Sequence, residues 1–100
     1  MATLFAIDVE CVSTGTGHND SAPCRVGIVD ADGTTILDAT IAVPPKEIYD
    51  PLTLITGLSL DDIARGSPLA DLRTQVREIV HVATLVGHAI YNDMGWLGLE

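Results

Sequence analysis

Cysteine is scarce in this sequence, and this excludes a fold built on a disulfide framework. Only Cys11 and Cys24 are present, and they form no CxxC pair. Two isolated cysteines are typical of small, buried residues in the reduced form. A bond between them would require two neighbouring strands to bring their sulfur atoms together.

Long apolar runs are missing as well. No stretch approaches the roughly 18 apolar residues that a membrane-spanning helix needs. The first residues also lack the basic segment and the apolar stretch of a secretion signal, because Asp8 and Glu10 interrupt the window where these would lie. We therefore expect a soluble, intracellular protein that has no membrane partner.

Positive charge is the third scarcity. The chain has 5 Lys and Arg against 14 Asp and Glu, which gives a formal net charge of -9. Proteins that hold nucleic acid through its phosphates usually carry a basic face, so charge alone argues against a nucleic-acid partner. Bound divalent cations would reverse this argument, because an ion can change the sign of the local charge in a site.

The 100 residues, of which 47% are hydrophobic, are enough for one core and therefore for a single domain. Their pattern predicts an α/β fold with the element order βββ-α-β-α. A hairpin turn is predicted around Asp32 and Gly33. Strands are expected over residues 3–10, 24–30, 34–43 and 82–90, with a turn-rich connection at 13–23 and an extended crossing at 44–51.

Three helix starts are visible. Ser59 is predicted to cap a short helix together with Asp62, three residues later. Ser67 followed by Pro68 predicts the cap and first position of a longer helix, whose inward apolar stripe is Leu69, Leu72, Val76, Ile79 and Val80. A last helix is predicted to begin at Asp93, capped by Asn92.

Two acids interrupt the first strand, "TLFAIDVEC". Asp8 and Glu10 are two residues apart and share one face of that strand. Asp93 follows the fourth strand, and if the first and fourth strands are parallel neighbours, all three acids meet where open α/β sheets bind ligands. Taken separately, each acid is more typical of a solvated strand end or a helix N-terminus. Together they predict a site for hard divalent cations such as Mg²⁺ or Mn²⁺, which relieve the repulsion between carboxylates.

The stretches that carry these acids resemble a known family. "FAIDVECV" followed by "LVGHAIYNDMGWLGL" resembles the first two motifs of the DEDDh 3'–5' exonucleases, which have a ribonuclease-H-like fold, and is most similar to their RNA exonuclease 4 and interferon-stimulated exonuclease branch. That branch reads D-x-E and then G-H-x-x-x-x-D, here Asp8, Glu10 and Gly87-His88 through Asp93. "ITGLS" (Ile55–Ser59) resembles the segment that runs beside the active site, and the likeness covers essentially the whole chain.

The resemblance implies a mixed five-stranded sheet with flanking helices, in which strands one to three are antiparallel and strand four lies parallel beside strand one. It implies an enzyme that removes nucleotides from the 3' end of RNA or single-stranded DNA with two Mg²⁺ or Mn²⁺ ions, and it is compatible with a nuclear location. Such a pair of ions, about 4 Å apart, supports in-line displacement at a phosphodiester.

It also implies roles for particular residues. Asp8, shared by both ions, and Glu10 would ligate metal, and Asp93 would support the second ion directly or through water. The terminal nucleotide would border the backbone after Glu10, at Cys11, and Val12. Ile55 and Leu58 would pack against its base or sugar, although simple core packing is equally expected for Leu58.

The family's third motif, a histidine that acts as general base and an aspartate that is the fourth metal ligand, is not among these 100 residues. His18, His81 and His88 are not convincing substitutes. We therefore expect the N-terminal part of a larger exonuclease domain, weak or inactive by itself, with exposed apolar surface around Trp96, Leu97 and Leu99. The alternative is a degenerate, non-catalytic exonuclease fold that serves as a binding module.

Overall fold

The computed structural model of the chain describes residues 3–81, 83–87 and 90–99. A short 3₁₀ turn, Pro45–Glu47, lies within the extended crossing. The strands are β1 (Thr3–Ser13), β2 (Ser21–Asp30), β3 (Thr35–Thr40) and β4 (Ala83–Val86), and the helices are α1 (Thr53–Thr56), α2 (Leu60–Ala64), α3 (Leu69–Val80) and α4 (Ile90–Leu97).

The strands form one mixed sheet in the order β3-β2-β1-β4. β1 to β3 are antiparallel neighbours, and β4 lies parallel to β1. The predicted α/β class and strand arrangement are thus confirmed, with four strands in the described ranges. The parallel pairing ends at Ala6 and Val86, so that past Ala6 this edge of β1 has no strand partner among the described residues.

Strand lengths differ from the prediction near the first loop. Ser13 pairs with Ser21, so the connection predicted over residues 13–23 spans only 14–20. A bulge between Glu10 and Cys11 allows the ladder to continue, and Pro23 lies at this irregularity, where a strand tolerates a missing N–H. The predicted hairpin is confirmed: Gly33 has a φ of 83°, and the Asp30 N–H donates to the Thr34 carbonyl.

Two helix starts were predicted at the wrong residue. Pro68 occupies the cap of α3 in an extended conformation, because Ser67 is used in a ladder in which its N–H donates to the Thr40 carbonyl at 2.9 Å. The helix α4 begins at Ile90, three residues before the predicted start, which places Asn92 inside the helix. The cap at Ser59 is confirmed, with both hydrogen bonds of a capping box to Asp62.

The main core lies between one face of the sheet and the helices α3 and α4. Ile7, Val26 and Ile28 pack there against Leu72 and other apolar residues of the helices. Of the helices in the described ranges, none is both long and apolar enough to cross a membrane.

The helix α4 closes one end of this core. Its Leu97 is fully buried and Trp96 and Leu99 are half-buried, so the prediction of exposed apolar surface was wrong for Leu97. The reason is that Leu97 packs into the core, while Arg73 on α3 donates from Nε to the Trp96 carbonyl at 2.9 Å. The acid-bearing helix is therefore fixed to α3 as well as to the sheet.

Candidate active site

Asp8 and Glu10 lie on the sheet face opposite the main core. Ile7, which precedes Asp8 on β1, points into the main core and is only 2% exposed. Asp8, by contrast, is exposed and Glu10 is half-buried. Strand alternation places the two acids on one side of β1, as the sequence predicts. Both line a cavity of about 220 Å³, whose other walls include Arg25 and Ile55.

Asp93 reaches the same region from the first turn of α4 and is 7% exposed. The backbone N–H of Val9, on the part of β1 past the last β4 pair, acts to lower the pKa of this carboxylate. Asp93 is therefore close to β1 as well as to Asp8.

Gly87 lies very close to β1, directly after the end of β4. A Cβ at this position would lie 2.8 Å from the Ile7 carbonyl oxygen, which is closer than side chains approach backbone atoms. The glycine of the G-H-x-x-x-x-D motif thus has a steric explanation in this chain. His88, the next residue of that motif, lies outside the described residues.

The carboxylates influence one another's protonation. The pKa of Glu10 is raised, first by a side-chain hydrogen bond with Asp8, then by partial burial and by the negative charges of Asp8 and Asp93, while Arg25 acts in the opposite direction. The pKa of Asp93 is raised by burial and then by the charge of Asp8, and the Val9 N–H partly offsets both effects. Both acids are therefore disfavoured as anions in the absence of a cation.

An all-carboxylate donor set suits hard divalent cations. The negative charges of Asp8 and Asp93 both raise the pKa of Glu10, and the charge of Asp8 raises the pKa of Asp93. Among the described residues, however, no three His, Cys, Asp or Glu side chains approach closely enough to enclose a metal ion together. The donor chemistry fits a metal, and the side chains would have to draw together around it.

Burial decides which of the predicted substrate contacts have an accessible side chain. Val12 packs into the smaller core cluster and is 0% exposed. The bulge does not cause this, because its extra residue is Cys24 on β2, where Glu10 and Cys11 pair with Arg25 and Pro23. The Val12 side chain is thus used in packing, and the expectation that Val12 borders the terminal nucleotide stays a prediction. Leu58 is 9% exposed in the same cluster, which favours core packing, whereas Cys11 is half-buried and Ile55, at 68% exposure, borders the cavity.

The cysteines are reduced, as predicted, and both are poor nucleophiles in the folded chain. Burial is the main cause that raises the pKa of the Cys11 and Cys24 thiols to about 11. Each thiol therefore stays protonated at neutral pH, which suits a packing role rather than a reactive one.

Arg25 is the site residue that sequence reasoning missed. It lies directly across from Glu10 on β2 and donates from Nε and Nη2 to the two carboxylate oxygens of Asp38, at 2.9 and 2.8 Å. This ion pair raises the pKa of Arg25 and lowers that of Asp38. The alternation of β2 predicts that Arg25 faces outward, but only the register shows that it faces Glu10.

The two histidines within the described ranges are not placed as bases for this site. His18 is exposed in the connection between β1 and β2, and His81 is exposed at the C-terminal cap of α3. Neither lines the cavity at Asp8 and Glu10. This agrees with the interpretation of the sequence.

Comparison with known proteins identifies relatives over the full chain. The chain is 36% identical to RNA exonuclease 4 of Xenopus tropicalis over 100 residues, which is all of this chain and 24% of that protein. It is 36% identical over 90 residues to interferon-stimulated 20 kDa exonuclease-like 2 of Bos taurus, covering 90% of the chain and 26% of the relative. No family model matches. The chain spans about a quarter of the length of the curated relatives it matches.

Solved structures share the fold at lower identity. The exonuclease module of Saccharomyces cerevisiae Pan2, solved in complex with AAUUAA RNA, matches 99% of this chain with a TM-score of 0.78 and 22% identity, over 19% of that protein. Escherichia coli Exonuclease I, in complex with a dT13 oligonucleotide, matches 90% of this chain with a TM-score of 0.63 and 16% identity, over 21% of its length.

The resemblance to the DEDDh exonucleases is thus confirmed, and the chain has their ribonuclease-H-like fold. Exonucleases of this kind typically use divalent metal ions. The relatives named RNA exonuclease 4 and interferon-stimulated 20 kDa exonuclease-like 2 agree with the branch that the motifs of this chain resemble.

Proposed function

We propose that this chain carries the first three acids of a metal-dependent 3'–5' exonuclease that acts on RNA or single-stranded DNA. The observation that supports this most strongly is that Asp8 and Glu10 line one cavity and that Asp93, on the first turn of α4, is near enough for its charge to act on Glu10 and for Asp8 to act on it. The relatives are named as exonucleases, and two fold neighbours were solved with RNA or a DNA oligonucleotide. The acidic net charge fits such a substrate when cations occupy the site.

In this proposal Asp8 and Glu10 would hold the divalent ions, Asp8 serving both, and Asp93 would support the second ion. When bound, Mg²⁺ or Mn²⁺ would supply activation of an attacking water and stabilisation of the leaving oxygen of a phosphodiester. Ile55 borders the terminal base or sugar with its exposed side chain, a contact that accepts any base. The general base and the fourth carboxylate belong to the third motif of the family.

Degradation assays on the full-length gene product test the activity. We expect Asp8→Ala and Glu10→Ala to abolish Mg²⁺-dependent shortening of a 5'-labelled single-stranded RNA, since each removes a ligand. Glu78→Gln, a charge change at an exposed position of α3, is the matched control and should retain activity. Full activity in either acid variant would refute the assignment.

Calorimetry with Mn²⁺ tests the site on the 100-residue chain itself. Binding that is lost in Asp8→Asn and kept in Glu78→Gln is the expected result. Metal binding and RNA degradation are measured separately. The metal site can therefore be detected even in a chain that lacks the third motif and does not degrade RNA.

A second candidate is a non-catalytic exonuclease fold that serves as a binding module. The observation that favours it is that no three ligand side chains in the described ranges close around one ion position. Weak Mn²⁺ binding, together with oligonucleotide binding that does not depend on divalent cations, would support this candidate over the enzyme.

A further inference from the structure

Arg25 joins three elements at the edge of the candidate site. Its Nε and Nη2 donate to Asp38 on β3, and its Nη1 donates to the Thr56 carbonyl at the end of α1, at 3.2 Å. The ion pair with Asp38 is 2.8 Å long and partly exposed. The Arg25 side chain thus connects β2 and β3 of the sheet with the short helix α1.

The helix α1 depends on such contacts for its position. It is four residues long, and helices of this length are unstable by themselves. It lies between two left-handed residues, Leu52 with a φ of 50° and Gly57 with a φ of 75°. The left-handed conformation is costly for a leucine, so the surrounding structure has to impose it.

Thr56 is the anchor of α1. It is 1% exposed, and its Oγ1 donates to the Pro51 carbonyl at 3.1 Å. Its own carbonyl has Arg25 as a donor. A cation near the last carbonyls of a helix is favourable. A Cβ on Gly57 would lie 3.2 Å from Arg25 Nη1, so the small residue leaves room for the guanidinium.

The helix α1 contributes one apolar residue to the lining of the cavity, beside apolar residues of β2 and β3. Ile55, one residue before Thr56, lines the same cavity as Asp8 and Glu10 although its side chain is 68% exposed. The position of the Ile55 side chain relative to Asp8 and Glu10 therefore depends on the position of α1.

We propose that Arg25 is a positioning residue that fixes α1, and with it Ile55, above the acids of β1. Asp38 orients the guanidinium in a two-pronged pair, and the third nitrogen is then directed at the Thr56 carbonyl. A lysine cannot replace this arrangement, because an ammonium has no planar fork that satisfies two partners in fixed directions. The effect on a nucleotide, as opposed to the effect on α1, rests on the proposed function.

Hydrogen exchange measured by NMR tests the effect on α1. The amides of Ile55, Thr56 and Gly57 donate within this turn, to the carbonyls of Leu52 and Thr53. In both Arg25→Lys and Arg25→Gln we expect their protection to fall by about ten- to a hundredfold, the range for loss of a hydrogen bond from a charged donor. The amides of β1 and β2 should change much less.

The control for this experiment is Arg65→Gln, which removes the same charge from an exposed position after α2. It should leave the exchange of α1 unchanged. Unchanged α1 exchange in the Arg25 variants would overturn the proposal. So would an equal loss of protection in α1 and the sheet, because that result indicates general destabilisation rather than positioning.

Oligonucleotide binding connects Arg25 to the cavity. Affinity for a fluorescent single-stranded oligonucleotide, with Ca²⁺ as the divalent cation, should fall in Arg25→Lys and in Ile55→Ala. When Arg25→Lys and Ile55→Ala are combined, the two losses of affinity should not add, because both substitutions act through the Ile55 side chain. Additive losses would overturn the proposal. If the wild type binds no oligonucleotide, the proposed function fails, and the exchange experiment still decides the role of Arg25.

Discussion

Gly87 provides a sharp test of how the site is assembled. In Gly87→Ala the new Cβ would lie 2.8 Å from the Ile7 carbonyl oxygen, whereas ordinary contacts begin at 3.4 Å. The backbones of β1 and residue 87 would have to separate by the difference, 0.6 Å. Overpacking of this kind costs about 1–3 kcal/mol. Because Gly87 leads into α4, the shift should also displace Asp93 and weaken Mn²⁺ binding.

Gly27 is the matched control for this substitution. It lies on β2 opposite Asp8, and a Cβ there would meet nothing within 4 Å. Neither glycine has a positive φ, so alanine is allowed at both and restricts the unfolded chain equally, a gain of about 0.4–1 kcal/mol. The difference between the two variants therefore isolates the clash.

Urea denaturation followed by circular dichroism measures that difference. Gly87→Ala should be about 1–3 kcal/mol less stable than Gly27→Ala, and its melting temperature should be lower by about 4–8 °C for each kcal/mol. Equal stability of the two alanine variants would refute the close approach of residue 87 to β1. It would also remove the steric explanation for the glycine of the motif.

Three further predictions concern pH, capping and thiol reactivity. Because the folded pKa of Asp93 is raised above its ordinary 3.8, its favourable contribution is present below that value and is lost as the pH rises through the folded pKa. When the free energy of unfolding is measured as a function of pH, Asp93→Asn should remove this loss of stability. At pH 7 the variant should be as stable as the wild type or more stable. A less stable variant would contradict burial as the cause of the raised pKa. Ser59→Ala removes a capping box and should cost about 0.5–2 kcal/mol in urea denaturation, whereas Ser67→Ala, which makes no cap for α3, should change stability by less than about 0.5 kcal/mol; equal losses would argue against the box. Iodoacetamide at pH 8 should alkylate Cys11 and Cys24 roughly ten- to a hundredfold more slowly in the folded chain than in urea, because both pKa values are about 11; equal rates would contradict their burial.

The features that the sequence predicted correctly depend on local chemistry. The hairpin at Gly33, the capping box at Ser59 and the inward stripe of α3 each follow from residues a few positions apart. The acid pair on β1 follows in the same way from strand alternation. Such features need no knowledge of what packs against them, and the structure confirms them.

The features that were missed depend on partners far away in the sequence. Val12 is buried because Cys24 and Leu58 pack in the same core cluster, and the sequence of β1 alone does not contain these partners. Leu97 is buried because α4 starts earlier than its capping residues suggest and packs against the sheet. Arg25 becomes part of the site only through its register with Glu10 and its distance from Thr56.

The surroundings of Asp93 give no structural reason for its charge. The backbone N–H of Val9 acts to lower the pKa of Asp93, but it is the smallest of the three influences on this carboxylate. Burial and the neighbouring Asp8 in fact disfavour the anion, as the raised pKa of Asp93 indicates. A bound divalent cation is the one partner that would make three acids favourable here, and we infer that the negative charge is explained by metal binding and not by the packing of the fold.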